Sequence, residues 1–371
     1  MDQQQPPPKQ PRKPRLRAQK PTAAQRRRAR PLEDVPLGIA ALYLLDIFGA
    51  LTAAQLSRLL FYGRASKHHR PRALEAANRA ANEVCLEPLK ALGLVQVVGY
   101  PKYHFNAMID EHPFGQHELH LLTALGARRL EQFFAASGEP YQRRYKTSLR
   151  QDLLRATPHD LEIIHAGALL IGHAGIEGWD LIRWQTDRQL RGARTNGQTL
   201  LGNLEPDACF VLRKENVDVP FFLEIDRETE PADGDAPNSW DTKIHKFGAY
   251  LKNRYPYDAY FPYMPRKPRV LTITTNERRL RRLQAATMSA GGENTYYFAL
   301  REYLDPVIEL LPTKKDTARP VPFARDLLGP LWLTPTDMPR SLRDDLERAF
   351  SYGSDPDITK EEVRKSEGVK G

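Results

Sequence analysis

The sequence predicts an α+β chain with two folded domains: a helical N-terminal domain closed by a β-hairpin, then a mixed α/β domain. Three observations lead there. Apolar residues recur at helical spacing between residues 37 and 92. The pattern then shortens to strand-like runs from Leu94 to Phe105. From Pro158 to Ala299 helical and strand patterns interleave.

In the first domain, Leu37, Ala40, Ala41, Leu44, Leu45 and Phe48 share one helical face, and Gly49 stops the helix. Thr52 with Gln55 three residues on forms a capping box for a second helix carrying Leu56, Leu59, Leu60 and Phe61, stopped at Gly63. A basic loop, Arg64 to Arg72, leads into a third helix from about Pro71 to Leu92, which Pro88 should kink or shorten. Gly93 ends it, and a hairpin of residues 94–105 follows, turning at Gly99-Tyr100-Pro101-Lys102. Three helices followed by a hairpin is the order of a winged helix-turn-helix, whose third helix enters the major groove. Candidate DNA contacts are Lys67, Arg70, Arg72 and Arg79, with Lys102 on the wing. A helical bundle that binds only protein has the same order. A further helix is expected from about His117 to Phe134. The spacing of His104, His112, His117 and His120 matches no metal-ligand pattern.

The net charge of +9 is concentrated at one end: residues 1–30 hold ten Lys and Arg residues against Asp2 alone. With Pro6-Pro7-Pro8 and many Gln, the segment 1–35 reads as a disordered basic arm that binds polyanions by counterion release, Arg26, Arg27 and Arg28 foremost. The remaining boundaries are 36–135 for the helix-turn-helix domain, 136–155 for a polar linker, 156–312 for the second domain, 313–350 for an extension and 351–371 for a disordered tail. No apolar run approaches the ~18–20 residues of a membrane helix. The polar, basic start lacks a signal-peptide core. Cys85 and Cys209 alone make neither a disulfide framework nor a zinc site, so a reducing cytoplasmic setting is expected.

The second domain reads as a helix from Pro158 to His173, strands at Trp179–Gln185, Ala208–Leu212 and Phe221–Asp226, a helix from Ser239 to Leu251, a strand Val270–Thr274, an Arg-rich helix and a last strand Thr295–Ala299. Glu224 and Asp226, two apart on a strand, share a face, while Ile225 points into the core. If the neighbouring strand pairs as a hairpin, Asp207 falls opposite Glu224 and three carboxylates converge. Such a cluster is costly without a cation, and Mg²⁺ favours oxygen ligands of this kind. Without one, mutual repulsion should raise at least one carboxyl pKa. Glu162 lies beside the apolar face of the preceding helix.

Pro206-Asp207 followed by a strand bearing Glu224-Ile225-Asp226 is similar to the PD-(D/E)xK restriction-endonuclease-like core. More narrowly, the chain resembles the replication-relaxation family of plasmid and mobile-element proteins over about residues 36–310. The matching pieces are Leu51-Thr52-Ala53-Ala54-Gln55-Leu56, Leu122-Thr123-Ala124-Leu125-Gly126-Ala127, Glu205-Pro206-Asp207-Ala208 with Leu223-Glu224-Ile225-Asp226-Arg227, and the helix with Lys243, Lys246 and Tyr250. The resemblance implies a winged helix fused to a nuclease-like domain. It also implies DNA as partner, alongside other replication, transfer or recombination proteins of a mobile element. Asp207, Glu224 and Asp226 would then bind Mg²⁺; Glu162 is a further candidate catalytic residue. The departure is at Asp226, where that core carries Lys to orient the attacking water. Lys243 or Lys246 would have to supply the ammonium, since Arg227 should point to the other strand face. An active Mg²⁺-dependent endonuclease and a core that no longer cuts both fit these residues. A transcriptional regulator with a ligand- or partner-binding second domain would not need the three carboxylates.

Overall fold

The computed structural model describes residues 36–61, 79–99, 118–138, 141, 158–192, 194–195, 198–199, 201, 204–228, 231–232, 239–252, 268–292, 295–304, 306–312, 318–324 and 326–353. The expected arm with Arg26, Arg27 and Arg28, the loop residues Lys67, Arg70 and Arg72, the wing residue Lys102 and most of the tail lie outside them.

Helix α1 (Leu37–Phe48) is apolar on nearly all sides, as a central core helix must be. Gly49 ends it at φ 82°, the left-handed region that favours glycine, and its N–H donates to Leu45 O at 2.9 Å. A short strand β1 (Ala50–Leu51) leads into α2 (Ala53–Phe61). The capping box forms as expected: Thr52 N donates to Gln55 Oε1 at 2.8 Å, and Gln55 N to Thr52 Oγ1 at 3.2 Å. The third helix is seen as a π-helical turn Ala81–Leu86 running into α3 (Glu87–Ala91). Pro88 sits just inside α3, directly after the wider π turn, where a regular α-helix would set its ring against the carbonyl of Val84 and lose one N–H bond.

Among the described residues, strand β2 (Val95–Gly99) pairs antiparallel with β3 (Glu118–Leu122); the expected partner strand around Tyr103 and Phe105 lies outside them. The expected helix from His117 therefore starts only at Ala124, as α4 (Ala124–Ala136). Leu119 and Leu122 mimic helical spacing, but Leu119, His120 and Leu121 are all buried, and a strand buried on both faces loses its period. Thr123 caps α4, accepting from Gly126 N at 3.0 Å. At Gly126 only hydrogen fits: a Cβ there would stand 2.3 Å from Leu94 O. Because β1 also pairs with β3, the strand order is β1-β3-β2.

Helix α5 (Pro158–Ile176) precedes a seven-stranded mixed sheet. Its strands are β4 (Asp180–Thr186), β7 (Ala208–Lys214), β8 (Val217–Asp226), β9 (Arg269–Thr274), β10 (Tyr296–Leu300), β13 (Trp332–Leu333) and β14 (Pro339–Arg340). Between β4 and β7 come α6 (Asp187–Gly192), β5 (Arg194–Thr195) and β6 (Gln198–Thr199). The central three strands β8, β9 and β10 are parallel, while β7 and β4 run antiparallel at one edge. The hairpin β11 (Pro306–Pro312) with β12 (Ala318–Ala324) forms a separate two-stranded sheet, and α9 (Leu342–Gly353) follows.

Alternation divides the sheet's two faces. Phe210, Phe221, Leu223, Ile225, Leu271 and Ile273 join a core that includes α5. Cys209, Val211, Phe222, Val270, Tyr296 and Phe298 face α7 (Trp240–Lys252) and α8 (Glu277–Ser289). The α5-side core also takes in Leu42, Leu45, Phe48, Leu51 and Leu56, so the N-terminal helices and the sheet share one hydrophobic interior. Tyr141, within the segment read as a linker, donates its hydroxyl to buried Asp46 at 2.7 Å. Among the described residues no helix is long and apolar enough to cross a membrane.

Candidate functional site

The β7–β8 hairpin pairs Ala208 with Leu223, which sets Asp207 opposite Glu224, as the sequence suggested. Glu224 and Asp226 do share the α7–α8 face, and Arg227 does turn away, its Nε 3.7 Å from Glu162 Oε2 on α5. The four carboxylates of this region do not pool, however. Each holds a basic partner of its own.

Asp207 spans two partners: its Oδ2 accepts the N–H of Ile225 at 2.7 Å, and its Oδ1 lies 3.0 Å from His159 Nε2. Burial favours the neutral form of both groups. The mutual hydrogen bond and opposite charges outweigh it, so the Asp207 pKa is lowered and the His159 pKa is raised. Lys243 adds to the effect on Asp207, and Asp160 and Glu162 add to that on His159. The expected rise from carboxylate repulsion is thus reversed at Asp207. No motif pointed to His159. Its only sequence signal is its place three residues before Glu162 at the start of α5.

Glu224 is almost wholly enclosed, with 1% of its surface exposed. Lys243, from the first turn of α7, donates to its Oε2 at 2.9 Å. Beneath it, β9 sets Thr272 beside Glu224, and Tyr296 on β10 stays a neutral phenol: burial, then the charge of Glu224, push its pKa well up. Lys246, a turn later on α7, is half-buried.

Asp226 is committed elsewhere. Arg279 grips it with two parallel bonds, Nε to Oδ2 at 2.9 Å and Nη2 to Oδ1 at 2.8 Å, and Thr274 Oγ1 donates to Oδ2 at 2.7 Å. Both side chains are 6% exposed. Asn276 caps α8 by accepting from Arg279 N at 2.9 Å, which fixes the guanidinium over the strand end. Glu162 is hydrogen-bonded by Arg301. Arg79 is exposed at the start of the π-helical segment, far in sequence from these residues.

The donor set therefore does not fit the three-carboxylate Mg²⁺ centre that the sequence suggested. Two of the three carboxylates, Asp207 and Glu224, remain side by side, but the third is neutralised by a guanidinium. Among the described residues no three His, Cys, Asp or Glu side chains gather closely enough to hold a metal.

A family model described as replication-relaxation matches residues 42–263. The chain belongs to the replication-relaxation family. The match runs from α1 through α7, so it takes in the N-terminal helices together with Asp207, Glu224, Asp226 and Lys243. Arg279, the partner of Asp226, lies beyond it. No curated protein and no solved structure matches the chain.

Proposed function

We propose that the chain is a DNA-binding accessory protein for the replication, relaxation or transfer of a plasmid or other mobile element. Family membership across both parts of the molecule carries this reading. The N-terminal part supports it by its element order. Three helical segments and a three-stranded β1-β3-β2 sheet are the elements a winged helix-turn-helix needs; in that reading the π-helical segment and α3 enter the groove, with Arg79 at their start. A sheet with α5 on one face and α7 and α8 on the other supports reading the second part as PD-(D/E)xK-like, in which Asp207 and Glu224 would take the motif's acidic positions. Lys67, Arg70, Arg72, Lys102 and the Arg26-Arg27-Arg28 arm supply further phosphate contacts. Other replication, transfer or recombination proteins of the element are its expected partners.

In this reading the nuclease-like core supports binding and does not cut. Asp226 stands where the motif needs lysine, and its carboxylate is held by Arg279. The test is a gel shift and cleavage assay of the full chain on supercoiled and linear duplex, with Mg²⁺, with Mn²⁺ and with EDTA. Binding in EDTA, weakening steeply with salt and without nicking, is the expected result. No affinity for any DNA at moderate salt refutes it. Nicking that needs Mg²⁺ or Mn²⁺ and disappears in Lys243→Met would make the protein an endonuclease whose lysine has moved from β8 to α7.

A further inference from the structure

Helix α2 is enclosed on every side. Gln55, Leu56, Ser57 and Arg58 are consecutive and all buried, and at 100° per residue four such positions span the whole circumference. One side packs on the N-terminal core. The other, which a free-standing helix-turn-helix leaves to solvent, lies on α5 of the sheet domain. The fit there is close: a Cβ at Gly172 would meet Arg58 Cβ at 3.6 Å. The ring of Phe48 at the end of α1 lies 4.9 Å from that of Trp184 on β4. Trp184 in turn fills the space over Gly167, where a Cβ would fall 2.1 Å from the indole.

Gln55 and His165 are the matched polar pair of this joint, whereas Ser57 Oγ and the indole N–H of Trp184 are buried without a hydrogen-bond partner among the described residues. Gln55 uses its Oε1 to cap α2. Its Nε2 lies 3.2 Å from His165 Nδ1 on α5, and His165 Nε2 lies 3.3 Å from Leu304 O. A neutral imidazole protonated at Nε2 satisfies both bonds, accepting from Gln55 and donating to Leu304. Leu304 closes the short 3₁₀ turn that begins at Arg301, the partner of Glu162. The cap of α2 is thus tied through His165 to the turn that holds a carboxylate of the candidate site.

We propose that α2 is docked permanently on α5, with Gln55–His165–Leu304 as its latch, so that the N-terminal module and the carboxylate-bearing sheet meet DNA as one rigid body at a fixed offset. The statement about DNA rests on the reading above; the rigidity does not. Positions are held within fractions of an ångström only when their supports are locked by packing and hydrogen bonds.

The test uses the full chain with spin labels at Gln132→Cys on α4 and Met288→Cys on α8, both exposed, while native Cys85 and Cys209 are buried. Pulsed electron resonance should give one narrow distance, unchanged when duplex DNA is added. Gly172→Leu, a wedge in the joint, and His165→Leu, which keeps bulk but removes both bonds, should each broaden it. His165→Gln, whose amide can still both accept and donate, should narrow it again relative to His165→Leu. A broad or two-peaked distribution in the otherwise native chain overturns the rigid joint. A His165→Leu distribution as narrow as the native one overturns the latch. Distances are read without DNA, so a chain that binds no duplex would sink the functional reading and leave this result standing.

Discussion

Glu224 and Asp226 sit two residues apart on one strand, face the same way and are both enclosed, yet they end in different chemistry. Glu224 meets Lys243, a primary ammonium whose side chain is 23% exposed. Asp226 meets Arg279, a guanidinium that is 6% exposed and bound through two parallel bonds. The first cation reaches water and can change partners; the second has no such freedom and is pre-shaped for a carboxylate. Position on a strand face decides which side chains are neighbours. The partner decides whether a carboxylate remains open to a ligand or becomes part of the frame.

That contrast predicts unequal costs. Arg279→Ala would strand the Asp226 carboxylate in the interior, a loss on the order of 3–5 kcal/mol of stability. Chemical denaturation measures it, and a loss below about 1 kcal/mol would show that water replaces the guanidinium, erasing the difference between the two sites. Lys243→Met strands Glu224, which is as enclosed as Asp226, but breaks one charged bond where Arg279→Ala breaks two, so it should cost somewhat less, about 2–4 kcal/mol. The same variant should weaken DNA binding where Arg279→Lys does not. If the order of the two stability losses reverses, Glu224 is the structural carboxylate and Asp226 the available one.

Local rules made much of this legible. The Thr52–Gln55 capping box, the alternation that sends Glu224 and Asp226 one way and Arg227 the other, and the helix and strand order from α5 to β10 all depend on residues a few positions apart. What escaped depends on distant partners or on lost periodicity. Arg279 lies 53 residues beyond Asp226, among other arginines with nothing to single it out. His159 precedes Asp207 by 48 residues. Glu118–Leu122 was hidden because a strand buried on both faces carries no alternation, and its leucines suit a helix equally well. The joint between α2 and α5 had no signal at all, since Gln55 and His165 are polar residues 110 positions apart. The strands β13 and β14, two residues each, are too short for any period.

The smallest expected effect is also the one that separates a structural pair from a repulsive cluster. Had Asp207 been crowded by other carboxylates, Asp207→Asn would relieve repulsion and stabilise the protein. Paired with His159, it should destabilise instead. The raised His159 pKa contributes stability that is fully present below the ordinary histidine value of about 6.5 and is lost as pH rises through the folded value. The lowered Asp207 pKa contributes stability that is present above the ordinary aspartate value of about 3.9 and is lost as pH falls through the folded one. The two contributions overlap between roughly pH 4 and 6.5, and there the substitution should cost the most. Because the His159 side chain is 33% exposed, the cost should be modest, about 1 kcal/mol. Toward pH 8 it should shrink as His159 loses its proton, leaving mainly the weakened bond to Ile225 N. Melting curves of native and Asp207→Asn protein from pH 4 to 8 read this directly. A variant more stable than the native chain at pH 6 would mean that repulsion, not pairing, governs Asp207, and would restore the case for a bound cation.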